Sequence, residues 1–468
     1  MSLLPQAVTS VLVMLFYLLS WLIPCVVSFY YNEMAVFKVF LGVGSIAACI
    51  LGAIFYRLRS IDESADGFLV IVLSWLGICL ISSIPFYALL PITYIDAWTE
   101  AASGLTTTGI EFLGDIQSWP HSLLWYRQQL EWVGGVGIII MTIALVSLQE
   151  GTLLSVYNSE FGRGVRDIRI TPRLASTAKY VISIYGLFLT LCTLGHWSQG
   201  VPFYYAILES MATVSTGGYT LSGLYPFYET TFSQMTAIVF MLLGAVGFHT
   251  HYAVLSRKQI GAYWQHAEAR MYLLITAIVC LVMATIQADT PIVRLIFDVV
   301  AFISTTGFET QIHNSSALIA ILFVIMGLVG GCAGSTAGGL KMIRLRVIWE
   351  ESRSFLLRLI HPKIIRPISV GGKVLDVKYL TSIRGYIGLF VLSFVLFLLM
   401  LIGLGVPLNN ATLLLCATIT NVGGSVGDLG IELLTNYQKF ALSMVMLLGR
   451  VEIAAFLVVL MPHYWQQR

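Results

Sequence analysis

Four stretches of the chain carry the same chemistry: EAASGLTTTGIEF from Glu100, ESMATVSTGGYT from Glu209, DVVAFISTTGFET from Asp298 and TLLLCATITNVGG from Thr412. Aligned on Gly109, Gly218, Gly307 and Gly423, each has a hydroxyl three residues earlier, at Thr106, Ser215, Ser304 and Thr420. Between hydroxyl and glycine stand Thr107 and Thr108, Thr216 and Gly217, Thr305 and Thr306, and Asn421 and Val422. An acid lies nine before three of the glycines (Glu100, Glu209, Asp298), whereas the fourth repeat has Leu414 there. A monovalent cation such as potassium that leaves water needs its hydration oxygens replaced, and rings of backbone carbonyls do this. Turning successive carbonyls toward one axis demands dihedrals that glycine tolerates. Serine and threonine add oxygens without adding charge. A single such stretch reads as an ordinary external loop; four in matching contexts predict a shared passage for an ion.

The elements that must position these turns lie in a membrane. Of 468 residues, 57% are hydrophobic and only 11% charged, too few charges to cover a soluble surface. The net charge of +2 comes without a polybasic arm, which argues against nucleic acid as a partner. Seven scattered cysteines with no CxxC pair argue against a disulfide framework or a zinc site. No basic residue precedes Lys38, so the first apolar run reads as a retained helix.

Runs near the roughly 20 apolar residues of a span occur at Thr9–Tyr31, Val36–Tyr56, Phe68–Leu90, Trp132–Leu148, Tyr180–Trp197 and Phe232–Val254. Four more, at Met271–Ala288, Ser316–Gly331, Tyr386–Val406 and Phe440–Met461, bring the expected count to ten. Basic residues cluster after every second span, and only Lys38, Arg127, Arg294 and Lys439 fall opposite, with Arg450 inside the last span. Cytoplasmic loops carry the Lys/Arg excess, so both termini are expected in the cytoplasm. Each of the four turns follows a half-length apolar segment. A ten-residue helix is about 15 Å long and reaches only the middle of a bilayer, so each segment reads as a re-entrant pore helix.

The expected fold is therefore all-α. An N-terminal helix pair (1–60) precedes four units of span, re-entrant pore helix and span, at 61–160, 161–260, 261–370 and 371–468, arranged around a pseudo-fourfold pore.

The motifs LTTTG, STGGY, STTGF and TNVGG, with GGCAGSTAGGLK and GRVE, resemble the TrkH/KtrB/HKT superfamily of potassium transporters, its TrkH branch in particular. The resemblance covers nearly the whole chain. It implies a potassium-selective filter built from the four quoted turns. Members with serine at the first filter glycine admit more sodium, and Gly109 occupies that position here. One departure follows Gly423, where Gly424 and Ser425 replace the usual proline and glycine.

The stretch GLVGGCAGSTAGGLK contains Gly327, Gly330, Gly331, Gly334, Gly338 and Gly339. Each glycine inside a helix costs roughly 0.8–1.0 kcal/mol relative to alanine, so a break in the helix is expected. Close packing through small residues is the alternative. A phosphate-binding loop is excluded, because Leu340 rather than lysine follows Gly339. The resemblance implies that Gly330, Gly331, Cys332, Ala333, Gly334, Ser335, Thr336, Ala337, Gly338 and Gly339 form an intramembrane loop that obstructs the pore. Arg450, expected midway across the last span, costs at least about 2.5–3.5 kcal/mol if it faces lipid. It should face water or a partner: a pore role by resemblance, a helix-joining salt bridge as the alternative. The acids Asp96, Glu100, Glu111, Asp115, Glu209 and Asp298 either give the outer mouth a negative field or cap helices.

These readings favour a gated potassium pore over an alternating-access carrier coupled to protons or sodium, since a carrier does not need four equivalent turns. No HExxH motif and no paired catalytic carboxylates point to an enzyme. The resemblance further implies a homodimer in a bacterial inner membrane and a cytosolic TrkA-like nucleotide-binding ring as a separate polypeptide. The permeant K+ is then the only ligand expected on this chain.

Overall fold

The computed structural model describes residues 4–58, 67–114, 116–148, 174–308, 317–364, 366–371, 373–424 and 431–466. Arg59, Asp115, His313, Ser425 and the basic cluster Arg163, Arg166, Arg169 and Arg173 lie outside them. Six described helices are long and apolar enough to cross a membrane: Gln6–Tyr30, Met34–Leu58, Gly67–Leu89, Ala178–Trp197, Ala267–Ile286 and Val377–Gly403. The expected fourth span falls within the 28-residue helix His121–Leu148, and the expected eighth is a 13-residue helix, Ala317–Val329.

Two spans expected to be continuous are broken. Thr231–Ala245 meets Phe248–Arg257 at 102°, and Asn436–Val451 meets Ile453–Leu460 at 107°. The first break has a clear cause. The carbonyls of Gly244 and Ala245 accept from the amides of Thr336 and Cys332, and Phe248 N–H donates to Gly334 O. A distant segment thus takes over the backbone bonds that the helix gives up, as buried non-helical backbone requires. At the second break Glu452 adopts φ 68°, and its carboxylate pairs with Arg344 at 2.7 Å.

Among the described residues the strands are confined to an unforeseen short hairpin, Ser369–Val370 against Lys373–Val374. Near the N-terminus, Trp21 sits at a kink between Leu4–Leu19 and Leu22–Tyr30. Its buried ring packs edge-on against Phe40 and Tyr126, which ties the N-terminal helices to the helix after the first turn.

Four short helices precede the four turns: Tyr94–Leu105, Phe203–Ser215, Ile292–Ile303 and Leu408–Ile419. Each runs 12 or 13 residues. The first begins with a capping box between Thr93 and Asp96. The other three each begin after a proline, Pro202, Pro291 or Pro407, whose fixed φ suits a helix start. Their C-terminal halves are buried, and from there the turns emerge.

Candidate functional site

All four helices end in the same way. The residue two before each aligned glycine is left-handed: Thr107 (φ 52°), Thr216 (52°), Thr305 (58°) and Asn421 (52°). Its amide bonds the carbonyl three residues back, and the next amide (Thr108, Gly217, Thr306, Val422) bonds the carbonyl five back, at Ser103, Ala212, Ala301 and Ala417. This is the double bond of a Schellman cap, which ordinarily recruits glycine. Threonine here is a conformational outlier three times over. Strain of this kind costs on the order of 1–3 kcal/mol and persists only where the surroundings enforce it.

The turns close on one another in chain order. A Cβ on Gly109 would strike Gly217 O, one on Gly218 would strike Thr306 O, one on Gly307 Val422 O, and one on Gly423 Thr108 O. Each glycine also has positive φ, from 61° at Gly423 to 98° at Gly218. All four glycines are therefore demanded twice, by dihedral and by the carbonyl of the next turn. Gly109, Gly218, Gly307 and Gly424 together line a small cavity of about 50 Å³, with Glu111 beside them.

The acids nine before the glycines do not face the mouth as free charges. Glu100 accepts from Phe112 N–H at 3.1 Å and Glu209 from Leu221 N–H at 3.0 Å, the same position in each repeat. Both are fully buried, and each pins the limb leaving its turn to the helix entering it. Asp298 is buried as well. Asp96 caps its helix and binds Lys439 at 2.6 Å. Behind the first turn, fully buried Arg127 hydrogen-bonds Glu100 at 2.7 Å and forms an ion pair with Glu111 at 3.2 Å, with its guanidinium 3.6 Å from the centre of the Tyr219 ring.

Arg127→Met strands Glu100 without its cation. Breaking a buried pair costs about 3–5 kcal/mol, so a clear drop in the thermal unfolding midpoint in detergent is expected. Arg127→Met with Glu100→Met should recover part of it.

Beneath the turns lies the glycine-rich segment, which leaves its helix at Gly330 and resumes at Met342–Ile360. It touches three of the four turns or their helices. Thr216 Oγ1 bonds Thr336 Oγ1 at 3.1 Å, Gly338 N–H donates to Thr305 Oγ1 at 2.6 Å, and Gly339 N–H to Thr420 O at 3.0 Å. Gly338 is needed because a Cβ would run into Thr420 O. Ser335 Oγ folds back onto Cys332 O at 2.6 Å, and Ala337 O accepts from Lys341 Nζ. Glu268 anchors the segment from outside: its Oε1 accepts from Ala333 N–H and Ile343 N–H at 2.8 and 3.1 Å. The expected break in the helix is there.

Arg450 is buried at the end of Asn436–Val451 and donates to Thr336 O at 2.7 Å and Gly134 O at 3.5 Å. Among the described residues its partners are backbone carbonyls rather than a carboxylate. A cavity of about 450 Å³ opens here, lined by Gly334, Gly338, Lys341, Asn421, Arg450 and Glu452 among others. Sequence reading did not single out Glu268, the Arg127–Glu100 pair or Glu131. Glu131 accepts Tyr219 N–H at 2.9 Å behind the second turn. Glu268, Arg127 and Glu131 belong to no repeat, so no periodic signal marks them.

His251 is buried and bonds Tyr263 OH and Leu243 O, each at 2.8 Å, and His121 stacks on Tyr31. Among the described residues no cluster of His, Cys, Asp and Glu could hold a metal ion, and the seven cysteines are free thiols.

A polytopic helical protein whose uncharged, oxygen-rich turns meet in a ring belongs to the class that passes small ions. The family profile described as TrkH, cation transport protein, matches residues 38–467, and the chain belongs to that family. It is 31% identical over 419 residues to the Trk system potassium uptake protein TrkH of Salmonella typhimurium, covering 86% of this chain and 87% of that protein. It is equally 31% identical to the Trk system potassium uptake protein TrkG of Escherichia coli, over 96% of each chain. The fold superposes on the crystal structure of the potassium transporter TrkH from Vibrio parahaemolyticus with a TM-score of 0.89. There the identity is 27%, over 99% of this chain and 100% of that one.

Proposed function

We propose that this protein takes up potassium across a bacterial inner membrane through one pore on a pseudo-fourfold axis. In this reading the four turns, Thr106–Gly109, Ser215–Gly218, Ser304–Gly307 and Thr420–Gly423, are the filter. The observation that carries it is the cyclic approach of each glycine to the carbonyl of the next turn. That approach lets oxygens from four units surround one ion without any side-chain charge. The four short helices are then re-entrant, each with two spans around it, and ten spans leave both termini in the cytoplasm. The segment Gly330–Gly339 is the gate, because it lies against the turns and Arg450 holds it there. A homodimer and a separate TrkA-like nucleotide-binding ring complete the reading.

Rubidium flux into liposomes holding the purified protein, with sodium and protons varied separately, tests it. Uptake should favour rubidium over sodium and continue without a proton gradient, with unitary currents in planar bilayers. Equal sodium and rubidium flux would overturn the potassium assignment. An absolute need for a proton or sodium gradient, without unitary currents, would favour an alternating-access carrier.

A further inference from the structure

We propose that Glu131 is a positioning residue that sets ion selectivity at the second turn. It fills, from a neighbouring helix, the place that a side chain of the turn itself fills in the other three. The inference rests on the filter reading above.

The second turn departs from the others at one position. Just before the aligned glycine the first, third and fourth turns carry Thr108, Thr306 and Val422, all buried, whereas the second carries Gly217. In the first and third turns that threonine bonds the hydroxyl two residues earlier, Thr106 Oγ1 to Thr108 Oγ1 at 2.7 Å and Ser304 Oγ to Thr306 Oγ1 at 2.8 Å. In the second turn Ser215 Oγ lacks that partner and keeps the bond back to its helix, to Ala212 O at 3.1 Å, that Thr106 and Ser304 also make. Gly217 is not in the left-handed region, so its backbone does not demand glycine. What demands it is Glu131: a Cβ on Gly217 would land on the carboxyl carbon and both oxygens.

Glu131 is fully buried on the helix His121–Leu148. One oxygen takes the Tyr219 amide at 2.9 Å, and the other lies against Gly217 with no hydrogen-bond partner among the described residues. The carboxyl therefore grips the chain on both sides of Gly218. Gly217 O is the carbonyl that abuts Gly109 in the first turn, so slack at Gly217 loosens two turns at once.

The test compares rubidium and sodium permeation through the purified full-length protein in liposomes, read as a ratio. A general folding defect lowers both fluxes and leaves the ratio alone. Glu131→Ala should cut the preference for rubidium about tenfold, the size expected when a buried backbone amide loses its one acceptor. Glu131→Gln keeps an acceptor for the Tyr219 amide and should restore most of that loss. Gly217→Thr should be damaging beside Glu131 but corrective in the Glu131→Ala background, where it rebuilds the pattern of the first and third turns. A wild-type ratio in Glu131→Ala, or Gly217→Thr equally harmful with and without Glu131, would overturn the inference. Loss of selectivity in Glu131→Gln as severe as in Glu131→Ala would overturn it too, by assigning the effect to charge alone. A wild-type protein with no preference for rubidium defeats the filter reading itself, and this inference with it.

Discussion

Gly109→Ala should reduce rubidium flux by about two orders of magnitude and raise sodium permeation relative to what remains. Gly109 has φ 74°, a region where a Cβ costs roughly 1–2 kcal/mol. The added methyl would also meet Gly217 O and Gly218 Cα, which are backbone atoms and cannot rotate away. Overpacking of this kind adds roughly 1–3 kcal/mol. Together they approach roughly 3 kcal/mol, and each 1.4 kcal/mol is about tenfold in an equilibrium. The first and second turns must part to make room, and a wider ring discriminates less against a smaller ion whose water is harder to strip. The measurement is tracer uptake of both ions at matched protein per liposome. Wild-type flux with a wild-type ratio would mean that ions pass elsewhere than through these turns.

What was legible in the sequence follows the range of the forces involved. The four turns were readable because their requirement is local: a left-handed glycine and a hydroxyl at fixed spacing recur wherever the same cap is built. The glycine-rich break was readable for the same reason, since six glycines cannot sustain a helix. The bends at Gly247 and Glu452 were not. Residues on either side of each bend are apolar, and the first bend exists only because Thr336 and Cys332, far away in sequence, claim the carbonyls of Gly244 and Ala245.

The acids nine before the glycines were found by spacing, but their task was hidden. Whether Glu100 faces water or the Phe112 amide depends on Arg127, which is 27 positions away and in no motif. Glu131 left still less trace, because a single acid in an apolar helix has no pattern. Its one sequence shadow is Gly217, the glycine that no dihedral requires.

Arg450→Ala should raise basal rubidium flux about tenfold while leaving the amount of folded protein near normal. Arg450 donates to Thr336 O, and Thr336 in turn touches Thr216 in the second turn, so the guanidinium holds the obstructing segment against the filter. A hydrogen bond from a charged donor contributes about 1.5–3 kcal/mol, so its loss shifts a closed–open equilibrium by roughly tenfold or more. Folding should suffer little. A buried cation without a carboxylate carries a desolvation penalty that alanine removes, and the vacated space joins a cavity of about 450 Å³ that is already there. Arg450→Lys keeps the charge and one donor but cannot bridge Thr336 O and Gly134 O with a planar fork, so its flux should fall between wild type and Arg450→Ala. Lower flux in Arg450→Ala with intact protein would mean that the arginine helps ions through instead of holding the segment shut. A collapse of folded protein would make its bonds to Thr336 and Gly134 a structural tie between helices.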